Sequence, residues 1–167
     1  METNTLFEQL IAKLRTKSDI TSVLICLEDF SAALFSGTTL AARHECFGHL
    51  PKEISDILIN NLAIQQVTPE NRNAIRQRIE ELANKLRSCK SIQITLAFEP
   101  DEPTTTYLSE WIKKNVDPQM IIDLQFDKTI IGGMLLIAGG VYKDYSVRKK
   151  LSNRFQLQRD EIKLLIS

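Results

Sequence analysis

The chain has 167 residues, 43% of them hydrophobic, which is enough for one or two small domains with ordinary cores and too apolar for an unfolded chain. Its 21 Lys and Arg balance 21 Asp and Glu, so bulk charge draws it to neither nucleic acid nor anionic lipid, and such binding would need a local patch. Cys26, Cys46 and Cys89 are odd in number, widely separated and set in helix-type sequence, the pattern of reduced thiols rather than of a disulfide framework.

The opening Met1-Glu2-Thr3-Asn4-Thr5 is polar and acidic, unlike a secretory or transit segment, and a cytoplasmic protein is expected. Leu6, Phe7, Leu10, Ile11 and Leu14 form one stripe of a short amphipathic helix. After Lys17-Ser18-Asp19 the pattern resumes with Ile20, Val23, Leu24, Leu27, Phe30 and Leu34 up to Gly37, and Ser18 or Asp19 is the predicted N-cap. Thr39 can cap a brief helix ending at Gly48. Pro51 pre-sets the first turn of a helix with Ile54, Ile57, Leu58 and Leu62 on one face. Thr68-Pro69 opens a surface helix whose buried stripe is Ile75, Ile79, Leu82 and Leu86.

At Ser88-Cys89-Lys90 the period changes. Ile92, Ile94, Leu96 and Phe98 alternate with polar or small residues, as in a strand. Pro100 and Pro103 end it, and Thr104 or Thr105 can cap a helix with Leu108, Trp111 and Ile112 on its apolar face. Met120, Ile122, Leu124 and Phe126 alternate again, Asp127-Lys128-Thr129 makes a short connection, and Ile130 to Ile137 is apolar and β-rich, which predicts two adjacent antiparallel strands. The run Thr129 to Tyr142 holds four glycines and is shorter than the roughly 20 residues of a membrane helix. Gly139-Gly140 supplies a tight hairpin that returns Val141-Tyr142-Lys143 beside the preceding strand. A final helix carries Val147, Leu151, Phe155 and Ile162.

The fold class is therefore α+β. Residues 1–88 form an all-helical domain, and residues 89–167 a small mixed β-sheet domain with packed helices, ordered strand, helix, strand, strand, strand, helix.

Chemistry-bearing clusters are sparse. His44, Cys46 and His49 lie within six positions, but neither Cys26 nor Cys89 completes a four-ligand zinc spacing, and an exposed turn with incidental histidines is the better reading. A thiolate at Cys46 would need His44 or His49 as its base, and no oxyanion or pocket signal accompanies them. Glu28-Asp29, Glu80-Glu81 and Glu99, Asp101 and Glu102 read as solvated helix faces or a Pro-bounded loop rather than acid–base pairs. Gly132-Gly133 and Gly139-Gly140 lead into no phosphate-binding strand–loop–helix and read as sheet geometry. Arg148-Lys149-Lys150 with Arg154 and Arg159 could face RNA or an acidic helix, with Phe155 as the single interleaved aromatic. No catalytic, cofactor-binding or metal-binding residue is assigned, and no cofactor is expected.

The run Asp127-Lys128-Thr129-Ile130-Ile131-Gly132-Gly133-Met134-Leu135-Leu136-Ile137, followed by Ala138-Gly139-Gly140-Val141-Tyr142-Lys143-Asp144-Tyr145-Ser146-Val147-Arg148-Lys149-Lys150-Leu151, resembles the signature of the ATP synthase delta subunit family, whose mitochondrial counterpart is the oligomycin-sensitivity-conferring protein. That family has a paired-glycine strand, a Gly-containing hairpin, and then Asp, a small residue, Ser, a hydrophobic residue and Arg at the start of the last helix. Tyr145 departs from the small residue. Asp144 or Ser146 can cap that helix, and Val147 with Leu151 can seat it on the sheet.

The resemblance covers about Arg87 to Phe155. The first half offers five helical stretches where the family carries six and lacks the family's Tyr-Ala motif, as in a short, divergent bacterial form. The resemblance implies a non-catalytic stator subunit on the cytoplasmic face of the cell membrane, attached only through the ATP synthase complex. Its helical domain would grip N-terminal helices of the alpha subunits through an exposed apolar groove, and its second domain would hold the end of subunit b. Ile131, Gly132, Gly133, Gly139, Gly140, Asp144, Ser146, Val147, Arg148 and Leu151 carry the family motif. A small RNA-binding or ribosome-associated module, using the sheet and the basic last helix, is the alternative.

Overall fold

The computed structural model describes residues 2–36, 45–62 and 67–166. Four helices come first: α1 (Glu2–Lys13), α2 (Lys17–Ala33), α3 (Lys52–Asn61) and α4 (Arg72–Arg87). Then follow β1 (Ser91–Leu96), α5 (Glu102–Asn115), β2 (Ile121–Phe126), β3 (Met134–Ala138), β4 (Val141–Asp144) and α6 (Val147–Ile166). The α+β class and the expected element order hold.

The stripes read from sequence close over one helical core. Leu10, Leu14, Leu27, Phe30, Leu58, Leu82 and Leu86 are all fully buried in it. Most of the brief helix expected after Thr38 falls on residues 37–44, outside the described residues. The turn that follows is better anchored than an incidental loop, because Phe47 is fully buried and its ring sits 5.3 Å from that of Phe30. Helix α2 is capped at Thr16, two residues before Ser18 and three before Asp19. Thr16 accepts from the Asp19 amide (3.1 Å) while the Asp19 carboxylate accepts from the Thr16 amide (2.9 Å), a reciprocal capping box.

The sheet order is β2-β1-β3-β4, with β1 parallel to β2 and antiparallel to β3, and β3 antiparallel to β4. The two strands expected to be neighbours, β2 and β3, are thus separated by β1. The cause is α5, which makes β1-α5-β2 a crossover unit and obliges β2 to lie parallel on the far side. Ile92, Ile94, Leu96, Ile112 and Ile122 form a second core on one sheet face. Asp101, not Thr104 or Thr105, caps α5 by accepting from the Thr104 amide, and Pro103 lies inside the first turn instead of ending the strand. Trp111 is 51% exposed, so the helix turns Leu108 and Ile112 to the sheet instead, and Ser109 is buried as well.

The two halves meet closely. The sheet residue Ile121 is buried in the helical core, and the Ile122 amide donates to the Arg15 carbonyl at 3.1 Å, which makes Thr16 a one-residue strand beside β2.

Candidate partner-binding surfaces

The paired glycines are set by the close passage of the chain that leads into α6. Tyr145 N–H donates to the Met134 carbonyl (2.9 Å) and Val147 N–H to the Gly132 carbonyl (2.8 Å), so the β3–β4 ladder continues past both strand ends. Gly133 has φ of +87°, and a Cβ there would collide with the Tyr145 carbonyl and stand 3.0 Å from the Ser146 Cα. Only glycine meets both demands. A Cβ on Gly132 would press on the Val147 side chain at 3.1 Å. At the opposite end of β4, Gly139 and Gly140 have φ of +55° and +79° and form the two-residue turn of the hairpin, as expected.

The choice between Asp144 and Ser146 as cap is resolved by geometry. Ser146 is buried and its Oγ accepts from the Lys149 amide at 3.2 Å, which makes it the N-cap of α6. Asp144 supports the turn from one step back by accepting from the Ser146 amide at 2.8 Å. Hydrogen bonds from the Ser146 hydroxyl and amide hold the Asp144 carboxyl below the usual aspartate range, with help from Lys149 and Arg148.

Helix α6 is not seated on the sheet as Val147 and Leu151 were expected to seat it. Val147 lies beside Gly132, and every side chain from Val147 to Gln156 is exposed. Leu151 (46% exposed) and Phe155 (66%) instead join Ile131 (70%) in an open cavity of about 450 Å³, with Arg148 and Arg159 also lining it. The motif residues Ile131, Arg148 and Leu151 are therefore brought together, whereas Gly139 and Gly140 lie at the far hairpin tip. From Val147 to Arg159 the helix carries five cations and no carboxylate.

A second surface had no motif to announce it. Between α2 and α4 runs a groove of about 610 Å³ lined by Leu27, Ser31, Ala32, Ile79 and Ala83, with Phe35 exposed at its side. Ser31, Ala32 and Ala83 are small, so the backbones stand open to a third helix. The rim is charged and internally paired: Glu28 with Arg87 at 2.7 Å and Arg76 with Glu80 at 2.9 Å, while Arg76 also lies 5.7 Å from the Phe35 ring centre. The signal legible in sequence was the alternation of small residues with the buried stripes.

The clusters weighed for catalysis take structural roles where they are described. Glu28 and Glu80 form those rim pairs, Asp101 caps α5, and Glu102 pairs with Arg15 at 2.9 Å. Among the described residues no three His, Cys, Asp or Glu side chains converge as a metal site would require, and His44 lies outside those residues. Burial pushes the Cys26, Cys46 and Cys89 thiols above their ordinary value, away from thiolate character. No helix among the described residues is long and apolar enough to cross a membrane.

The profile of the ATP synthase delta (OSCP) subunit family matches residues 43–156, well over half of the chain and including the glycine hairpin and the first half of α6. The chain belongs to this family. It is 26% identical over 93 residues to "ATP synthase subunit delta" of Syntrophobacter fumaroxidans (strain DSM 10017 / MPOB), covering 56% of this chain and 51% of that one. It is 31% identical over 78 residues to the protein of the same name from Alcanivorax borkumensis (strain ATCC 700651 / DSM 11573 / NCIMB 13689 / SK2), covering 47% and 44%. The chain thus spans about half the length, or less, of these delta-family relatives. Helices α1 and α2 precede the matched region, so the α2–α4 groove has only its α4 wall inside it.

Proposed function

We propose that the chain is a non-catalytic peripheral-stalk subunit that ties the catalytic head of an F-type ATP synthase to its membrane sector. The observation that carries this reading is the family match across residues 43–156. The geometry supports it by offering two separate apolar surfaces, one on each half, as a connector needs. The α2–α4 groove suits an amphipathic helix laid between small residues, and is assigned to the N-terminal helices of the alpha subunits. The Ile131, Leu151 and Phe155 cavity is assigned to the end of subunit b. Its cationic surroundings favour a segment whose apolar anchors are flanked by Asp or Glu. The division into a helical unit, 1–88, and a sheet unit, 89–167, is on this reading a division of partners. Membrane association comes through the complex, on its cytoplasmic face.

The test is co-purification of the full chain with alpha and b subunits, each present at roughly micromolar concentration. Ala32→Arg, at the exposed mouth of the first groove, is expected to abolish alpha binding and spare b. Phe155→Ala with Leu151→Ser is expected to do the reverse. Failure of the unaltered chain to hold either subunit overturns the reading, and tight binding of single-stranded RNA through α6 would replace it.

A further inference from the structure

The connection between the halves is built as a clamp. Helix α1 ends at Lys13, and like any helix it leaves its last carbonyls without partners in the helix. The ammonium that satisfies them comes from the other half: Lys113 of α5 donates to the carbonyls of Ile11 (2.6 Å), Ala12 (3.3 Å) and Leu14 (2.5 Å). A cation at a helix C-terminus also meets the negative end of the helix dipole. The ammonium is removed from bulk water by this docking, which lowers its proton affinity, while Asp19 acts in the opposite sense.

The three residues after Leu14 are held on both sides. The Arg15 carbonyl accepts from Ile122, its guanidinium pairs with Glu102 at 2.9 Å and bonds Thr106, and Lys17 pairs with Asp123 at 3.3 Å. The Arg15 and Thr16 amides are both taken by the Asp19 carboxylate. Ile121, one residue along β2, is buried on the helical side.

We infer that Lys113 and the strand-like Arg15–Lys17 segment weld the helical and sheet halves into one torsionally rigid body, with no hinge at the boundary near Cys89. A hinge there would have to break these bonds and pull Ile121 out of the helical core each time it opened. The inference holds whichever partners the two surfaces take.

The experiment uses the full chain and follows urea unfolding by two probes, fluorescence of Trp111 in the sheet half and far-ultraviolet circular dichroism, to which α1 to α4 contribute more helix than α5 and α6. Hydrogen exchange of the Ile122 amide is measured alongside. The unaltered protein is expected to show coincident transitions, with Ile122 exchanging as slowly as the amides of β1. In Lys113→Met, which keeps the stem and loses the ammonium, the transitions are expected to separate and Ile122 to exchange at least tenfold faster, with Lys114→Met unchanged. If Lys113→Met does not fold, Arg15→Leu is expected to quicken Ile122 exchange roughly threefold. Separate transitions in the unaltered protein overturn the inference, as does unchanged Ile122 exchange in whichever of the two variants folds.

Discussion

Gly133 shows how one missing side chain organises the region around it. Its positive φ and the nearby Tyr145 carbonyl mean that any side chain costs twice, once in backbone strain and once in displacing the strand that leads to α6. Gly133→Ala is therefore expected to destabilise the protein by about 2–3 kcal/mol, read from the urea midpoint. Gly139→Ala has the same kind of φ but open space around the new Cβ, so about 1 kcal/mol is expected. Equal effects at the two sites would show that backbone strain alone, without the collision, accounts for Gly133. Lys113 is the opposite case, a residue whose importance lies wholly in what it reaches. In sequence it is one of a pair of surface-type lysines near the end of a helix, and nothing there distinguishes it from Lys114.

Among elements, those that depended on periodicity were legible and those that depended on partners were not. The stripe Ile75, Ile79, Leu82 and Leu86 is buried as read, because a surface helix with one apolar side has only one way to face. Trp111 was misplaced because apolar residues at three- and four-residue spacings both fit, and the buried positions are Ser109 and Ile112. The boundary of β3 moved from Ile130 to Met134 because the paired glycines serve the turn into α6, leaving Ile131 outside the strand. Ile131, Arg148 and Leu151, and an exposed apolar groove on the helical half, are legible in the sequence, but not Phe155 as companion of the first three nor α2 and α4 as the walls of a groove, since a groove is a property of two elements together.

The aspartates of caps and turns carry a pH signature of their own. Asp101, Asp127 and Asp144 are each held below their ordinary range, first by the hydroxyls and then by the amides of Thr104, Thr129 and Ser146. A carboxyl lowered in the folded state contributes stability that is complete above its unfolded value, about 3.9, and is lost as pH falls through the folded value. Stability is thus expected to decline below about pH 4, and in Asp144→Asn, whose amide oxygen can still accept from Ser146, that decline is expected to be shallower. Urea midpoints measured across the acid range check this, and an identical acid profile for the variant would dismiss Asp144 as a contributor.

At the scale of the whole molecule, zero net charge hides an uneven distribution. The rim of the α2–α4 groove pairs its own charges, whereas α6 presents five cations in thirteen residues with no carboxylate among them. Binding at the two surfaces should therefore respond differently to salt. On the reading proposed above, between about 0.05 M and about 0.5 M salt, affinity for an acidic-flanked b segment is expected to fall roughly tenfold, and affinity for an alpha-subunit helix to change by less than about twofold. Titration calorimetry of each peptide at the two concentrations measures the difference, and parallel losses would remove the electrostatic assignment of α6.

The sheet order has a further consequence for self-association. An open four-stranded sheet has two outer edges at which a stray strand could add and seed aggregates. On the β2 side, the Arg15 carbonyl and Thr16 already pair with the edge at Ile122, near the start of the strand. On the other side, β4 is only four residues long, with Lys143 within it, and the chain then bends into α6. Neither edge offers a long, flat run of unpaired amides and carbonyls, so the same contacts that join the two halves also protect the solubility of the chain before it meets any partner.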